Sequence, residues 1–98
     1  MFNKLKQIKD LRDQAKVLQN MLAQETIHHD VKGGKISLVM DGNQEVLSLS
    51  IDPEFLNPEK KDELEKALKE LFSEATKKVQ KAVAMKMRSS GMQIPGLG

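Results

Sequence analysis

The chain has 98 residues, of which 39% are hydrophobic and 31% charged, and its formal net charge is +2. This length allows one small domain, and the composition suits a folded, helix-rich protein rather than a disordered one. The absence of cysteine excludes disulfides, thiolate nucleophiles and cysteine-bound metals. Lysines interrupt the N-terminal apolar residues, so we expect neither a signal peptide nor a membrane span.

Charge is distributed unevenly along the chain. Residues 1–20 contain five basic and two acidic residues, and residues 77–98 contain five basic residues and no acidic one. The segment between them is acidic overall. A polyanionic partner is therefore expected to bind the two ends of the chain rather than its middle.

The first predicted element is a helix over residues 3–25. Strong helix formers dominate this segment, and neither Gly nor Pro occurs before Gly33. At 1.5 Å per residue the helix is roughly 34 Å long. Its apolar residues follow the 3-4-3-4 spacing that is typical of a coiled-coil seam. We call this helix α1 and this set of residues the α1 seam, which consists of Ile8, Leu11, Ala15, Leu18 and Leu22.

Residues 26–51 predict a three-stranded antiparallel meander. Turn signals at Gly33-Gly34 and Asp41-Gly42 divide this segment into three short runs. The second and third runs alternate apolar with polar residues, so each strand has one apolar face that another element must cover. In the third strand, the residues expected to point inwards are Leu47, Leu49 and Ile51.

The last predicted element is a helix over about residues 58–89, roughly 48 Å long. Asn57 suits its N-cap and Pro58 its first position. Apolar residues recur along one face, and five basic residues fall in the last turns, where the helix dipole favours cations. Residues 1–90 therefore form one predicted domain, and residues 91–98 are expected to be a flexible tail.

The predicted dimensions favour a dimer. A three-stranded sheet is only about 15 Å wide, so both helices must project beyond it with apolar stripes that a single protomer cannot bury. Two protomers with protruding helical arms would cover those stripes. The residues expected at the dimer interface are Ile8, Leu11, Leu18, Leu22, Leu38, Leu49, Val79 and Met87.

The segment from Gly42 to Pro53, which reads Gly-Asn-Gln-Glu-Val-Leu-Ser-Leu-Ser-Ile-Asp-Pro, resembles the YbaB/EbfC family of small bacterial nucleoid-associated proteins. The similarity covers nearly the whole chain. This chain differs from the family pattern in two places. The loop near Gly33-Gly34 is shorter and less rich in glycine, and the first helix carries the acidic residues Asp10 and Asp13. Further matching positions are Leu56, Leu64, Glu65, Leu68, Leu71, Ala75, Lys78, Met87, Gly91, Met92, Pro95, Gly96 and Leu97.

The resemblance implies an α-β-β-β-α protomer of the α+β class, in which a three-stranded antiparallel meander is flanked by two long helices. It implies a dimer often likened to tweezers. It also implies binding of duplex DNA in the cytoplasm, at the nucleoid, and a role in nucleoid organisation or gene regulation. No cofactor, small-molecule substrate or membrane association is expected.

The basic residues of the two helical arms are the candidate DNA contacts. Neutralising phosphates releases condensed cations, which gives salt-sensitive binding to the DNA backbone. Only Arg12 and Arg88 offer bidentate contacts to guanine, so we expect low sequence specificity. The first arm contributes Lys4, Lys6, Lys9, Arg12 and Lys16, and the second contributes Lys77, Lys78, Lys81, Lys86 and Arg88.

No catalytic or metal site is expected. His28 and His29 are adjacent on a strand, so their side chains point to opposite faces, and there is no third histidine. Neither has a neighbouring nucleophile, so we expect no enzyme. Two other functions stay open. The coiled-coil-like arms could grip a protein partner as a scaffold, or the basic residues could bind double-stranded RNA.

Overall fold

The computed structural model describes residues 2–89, with side chains from residue 7 onward. The predicted flexible tail, 91–98, lies outside the described residues. The α-β-β-β-α order is confirmed, and the chain belongs to the α+β class. The elements are helix α1 (Phe2–Ala23), strands β1 (Thr26–Val31), β2 (Ile36–Asp41) and β3 (Val46–Ile51), and helix α2 (Lys61–Ser89).

The three strands form one antiparallel sheet in the order β1-β2-β3, the meander predicted from the turn signals. Leu38, at the centre of β2, pairs with His29 of β1 and with Leu49 of β3. The link between β1 and β2 is a single 3-10 turn, Lys32–Gly34, in which all three residues have positive φ. Gly33 and Gly34 make that left-handed backbone accessible without a steric penalty.

Strand β3 contains a β-bulge. Val39 pairs with Ser48, but Met40 pairs with Val46, so Leu47 is an extra residue on β3. The inward orientation expected for three β3 residues is therefore wrong for Leu47, whose surface is 52% exposed. Leu49 pairs with buried Leu38 but is itself 45% exposed, and Ile51 is partly buried.

Helix α2 lies across β1 and β2 and forms the hydrophobic core with them. Because its main contacts are with these two strands, the apolar residues of β3 stay largely uncovered. Of the phenylalanines with described side chains, Phe55 is buried, whereas Phe72 is 37% exposed. The buried core residues are Ile36, Leu38, Met40, Phe55, Ala67, Leu71, Ala75 and Val79.

Two short capped turns connect the sheet to α2. Asp52 caps the turn Pro53–Phe55 by accepting a hydrogen bond from the Glu54 backbone N–H, and this turn places Phe55 in the core. Asn57 then caps the 3-10 turn Pro58–Lys60. The predicted N-cap at Asn57 is confirmed, but it caps a 3-10 turn, and the α-helix itself begins at Lys61.

The protomer is elongated, with principal dimensions of 63 × 28 × 21 Å. Helix α1 ends at Ala23, where its last turns contact the β2–β3 turn. Within residues 2–89, no helix is both long and apolar enough to cross a bilayer.

Candidate nucleic-acid interface

Three basic residues of α2 lie on the face that points away from the sheet. Lys77, Lys81 and Arg88 are spaced by four and seven residues, which places them within about 40° of each other around the helix axis. Buried Ala75 and Val79 lie on the opposite side. The three residues therefore form an outward-facing row about 16 Å long, which we call the α2 basic stripe.

The α2 basic stripe is exposed and nearly free of internal ion pairs. The Nζ atom of Lys77 lies 3.7 Å from Oε1 of Glu74. Lys81 and Arg88 are exposed and form no ion pair with another described residue, and the same holds for neighbouring Lys78. These charges are therefore available to an external anion without first breaking a buried contact.

Lys86 lies on the other side of α2 from the stripe, the side of the buried residues. Its Nζ atom is 3.3 Å from Oε1 of Glu25, one of the two residues that join α1 to β1. Lys86 therefore links the distal part of α2 to the base of α1, and its ammonium group would have to leave Glu25 to reach a phosphate.

The first arm carries a second exposed row, Lys9, Arg12 and Lys16, which we call the α1 basic stripe. The 3-4 spacing places these residues on one face of α1. The α1 seam lies roughly a third of a turn away, so burying the seam would leave the basic row in solvent. Lys4 and Lys6, also predicted contacts, lie outside the described side chains.

The α1 seam has little cover in the protomer. Ile8 is 51% and Leu11 64% exposed, while Leu18 and Leu22 are partly buried near the sheet. Leu11, Ala15 and Leu18 line a shallow, mainly apolar groove along the helix.

The other predicted interface residues divide between the core and the surface. Leu38 and Val79 are buried inside the protomer, and Met87 is also buried, so these side chains have almost no surface left for a partner. Leu49 is exposed. The predicted interface did not include six other exposed apolar residues, two of which, Val46 and Leu47, lie on β3. The remaining four are Val17, Leu56, Phe72 and Met85.

The open edge of β3 lacks two common protections against pairing, charge and proline, and its bulge lies at one end of the strand only. Its sequence, Val-Leu-Ser-Leu-Ser-Ile, contains no charge and no proline, and its first five residues are exposed. Exposed edge strands are usually blunted by charges, prolines or a covering element. The other edge strand, β1, carries His28, His29 and Asp30. The lack of charge in β3 is the sequence signal that would have identified this surface.

A third structural feature fixes the base of α1. The backbone N–H of Gly42, in the β2–β3 turn, donates to the Leu22 carbonyl at 2.9 Å, and Nδ2 of Asn43 donates to the Gln19 carbonyl at 3.0 Å. We call these four residues the arm junction. Within the turn, buried Asp41 accepts hydrogen bonds from the backbone N–H of Asn43 and Glu45.

The resolved pKa shifts belong to ion pairs that hold connections in place, away from both basic stripes. A hydrogen bond from Lys35 to Glu54 raises the pKa of Lys35. The charge of Lys60 lowers the pKa of Glu63, and Lys32 adds to this effect. Among residues 7–89, no group of histidine and carboxylate side chains has the geometry of a metal site.

Comparison with known proteins gives one consistent match. The sequence model of the YbaB/EbfC DNA-binding family matches residues 1–93. A nucleoid-associated protein of Syntrophobacter fumaroxidans is 33% identical over 98% of this chain and 89% of its own length. A nucleoid-associated protein of Pelotomaculum thermopropionicum is 32% identical over 99% of this chain and 94% of its own length.

One solved structure supports the fold. The crystal structure of an uncharacterized protein from Helicobacter pylori superposes with a TM-score of 0.61 at 22% sequence identity. The match covers 82% of this chain and 96% of that protein. At this level of identity the similarity concerns the backbone arrangement alone.

Proposed function

Because this chain belongs to the YbaB/EbfC DNA-binding family, we propose that it is a homodimer that binds duplex DNA through the basic stripes of its helical arms. The observation that carries the proposal is the α2 basic stripe, which is exposed, is turned away from the sheet and has a single ion pair with the described residues. The names of the relatives support association with the nucleoid. The proposal places the protein in the cytoplasm and gives it a role in nucleoid organisation or gene regulation. No catalytic step belongs to this function.

The contacts are expected to be with phosphates rather than bases. Lysine is a point charge on a flexible stem, which suits a phosphate oxygen but not the bidentate recognition of a base edge. Each neutralised phosphate releases condensed cations, so affinity should fall steeply with salt. Two copies of each stripe in one dimer double the number of contacts.

The uncovered apolar surface supports the dimer. The α1 seam and β3 together expose Ile8, Leu11, Val46, Leu47 and Leu49. Burying such surface stabilises association by roughly 25 cal/mol per Å² before the cost of ordering. The proposed interface combines the β3 edge with the α1 seam and leaves both basic stripes in solvent.

Charge reversal on α2 tests the DNA contact. We expect the triple substitution Lys77→Glu, Lys78→Glu and Lys81→Glu to abolish binding of a mixed-sequence duplex at low salt while the protein stays dimeric. The matched control reverses three lysines in the acidic first half of the same helix: Lys61→Glu, Lys66→Glu and Lys69→Glu. Fluorescence anisotropy at several salt concentrations measures affinity, and sedimentation measures the dimer.

The comparison between the two variants decides the result. Salt-sensitive binding that survives in the control and disappears in the Lys77/Lys78/Lys81 variant supports the proposal. Equal losses in both variants would mean that net charge, not the stripe, governs binding. Affinity that does not change with salt would exclude the phosphate mechanism.

The groove along the α1 seam favours one alternative, a scaffold that grips a helix of another protein. A scaffold predicts negligible DNA affinity in the wild type and in both variants. A further comparison with double-stranded RNA of the same length separates DNA binding from recognition of A-form helices.

A further inference from the structure

We infer that Gly42 and Asn43 are positioning residues, which set the direction of the α1 arm and thereby determine how many phosphates the α1 basic stripe reaches. This inference rests on the proposed DNA binding for its functional part, and on the arm junction for its structural part. Both residues lie in the β2–β3 turn, and their hydrogen bonds to α1 go to Leu22 and Gln19, which are outside the α1 basic stripe.

The first step is the close approach at Gly42. A Cβ atom at this position would lie 2.5 Å from the Leu22 carbonyl oxygen and 3.1 Å from the Leu22 Cα atom. Both are backbone atoms of α1, so neither can rotate away. Gly42 is not among the described glycines with positive φ, so the steric limit alone requires glycine here.

The second step is the pair of hydrogen bonds from the turn to α1. Gly42 and Asn43 donate to carbonyls three residues apart, those of Leu22 and Gln19. These groups lie about one turn apart along the helix, so together they restrain the tilt of α1 as well as its position. The turn is itself held rigid by buried Asp41.

The third step is the displacement that a small tilt at the base of α1 produces at its far end. The described polar contacts from α1 to the rest of the protomer lie in its last turns, whereas Lys9 is 13 residues before Leu22. At 1.5 Å per residue this is about 20 Å, so a tilt of about 15° at the junction displaces Lys9 by about 5 Å. A shift of this size is large compared with a hydrogen bond, and it moves the ammonium group out of reach of a phosphate.

Distance measurements test the structural part. Because the chain has no cysteine, spin labels can be placed only at Asp10→Cys in α1 and Ser73→Cys on α2. Labelled chains are diluted with unlabelled chains so that intrachain distances dominate. We expect Gly42→Ala to shift the distance by several ångströms, in line with the lever length, and Asn43→Ala to broaden its distribution. Asn20→Ala, an exposed asparagine on α1, is the matched control and should leave the distance unchanged.

Salt titration of DNA binding tests the functional part. The slope of log affinity against log salt should fall by about 0.9 for each phosphate that the protein no longer neutralises. We expect this decrease in Gly42→Ala and Asn43→Ala, but not in Asn20→Ala, when circular dichroism shows the same helix content for all three. A loss of stability alone would reduce the active fraction without changing this slope.

The two experiments separate failure of this inference from failure of the proposed DNA binding. If the wild type binds no DNA, the proposed function fails, and the distances still decide whether the turn directs the arm. Unchanged distances in both variants would overturn the inference, as would shifted distances with an unchanged salt slope. If Gly42→Ala does not fold, Asn43→Ala decides the question, because it removes one hydrogen bond and introduces no clash.

Discussion

Leu71 shows how strongly a single residue of α2 contributes to the protomer. Its side chain is fully buried in the cluster that joins α2 to β2. Truncating a buried leucine removes transfer free energy and leaves a cavity. We expect Leu71→Ala to lower the free energy of unfolding by about 2–5 kcal/mol, measured by urea denaturation. Leu56→Ala, at a residue that is 62% exposed, is the control and should change it by less than about 0.5 kcal/mol. Equal losses of stability in the two variants would contradict the assignment of Leu71 to the core.

Glu63 gives a prediction about pH. Its carboxylate lies 3.4 Å from Lys32 and 3.5 Å from Lys60, and these charges lower its pKa below the ordinary value of 4.5. A carboxyl group with a lowered folded-state pKa stabilises the fold above its unfolded-state pKa, and this contribution disappears as pH falls through the folded-state pKa. We expect Glu63→Gln to be less stable than wild type at neutral pH and equally stable in strong acid. A difference that does not change with pH would contradict the ion-pair assignment.

Single positions also show where sequence reasoning stops. Asp41-Gly42 predicts a hairpin turn, and β2 and β3 do form a hairpin there. The residue with positive φ in that turn is Gln44, and Gly42 is needed for its approach to Leu22. Local sequence reports the preference for a turn, but a close approach between elements about 20 residues apart depends on tertiary packing.

Among the strands, β3 is the one whose apolar residues stay largely exposed in the single chain. Its apolar residues Val46 and Leu49 are 41% and 45% exposed because α2 packs mainly on the other two strands. We expect Leu49→Lys to weaken the proposed dimer about thirtyfold or more, since it places a charge in the contact. Sedimentation equilibrium measures the effect. Leu56→Lys, which adds the same charge to an exposed apolar residue outside β3, should leave the dimer intact. Equal dissociation by both variants would exclude β3 from the interface.

The elements themselves were predictable because periodicity reports the face that each one buries. The alternation in β2 and the apolar repeat in α2 are reproduced by the buried positions of both. The bulge at Leu47 was not predicted, because apolar and polar residues alternate regularly from Leu47 to Ile51. The two basic stripes follow from helical spacing alone. The pairing of Lys86 with Glu25 does not, since it requires the packing angle of α2 on the sheet.

At the scale of the whole molecule, the narrow sheet predicted from strand spacing explains why the protomer is elongated. A narrow sheet cannot cover two long helices, and the protomer is accordingly 63 Å long and at most 28 Å in its other dimensions. The sequence therefore indicates projecting arms before any contact is known. It does not indicate the direction of α1, which two hydrogen bonds from the β2–β3 turn restrain.

The two edges of the sheet differ in a way that determines how far assembly can proceed. Strand β3 has an uncharged edge with a bulge at one end, whereas β1 carries two histidines and an aspartate. A protomer in which both edge strands could pair with another copy would add further copies without limit and form filaments. With one such edge, pairing of two copies about a two-fold axis consumes both edges and closes the assembly. Because the two edge strands differ, the assembly would stop at two copies and would not grow into a fibre.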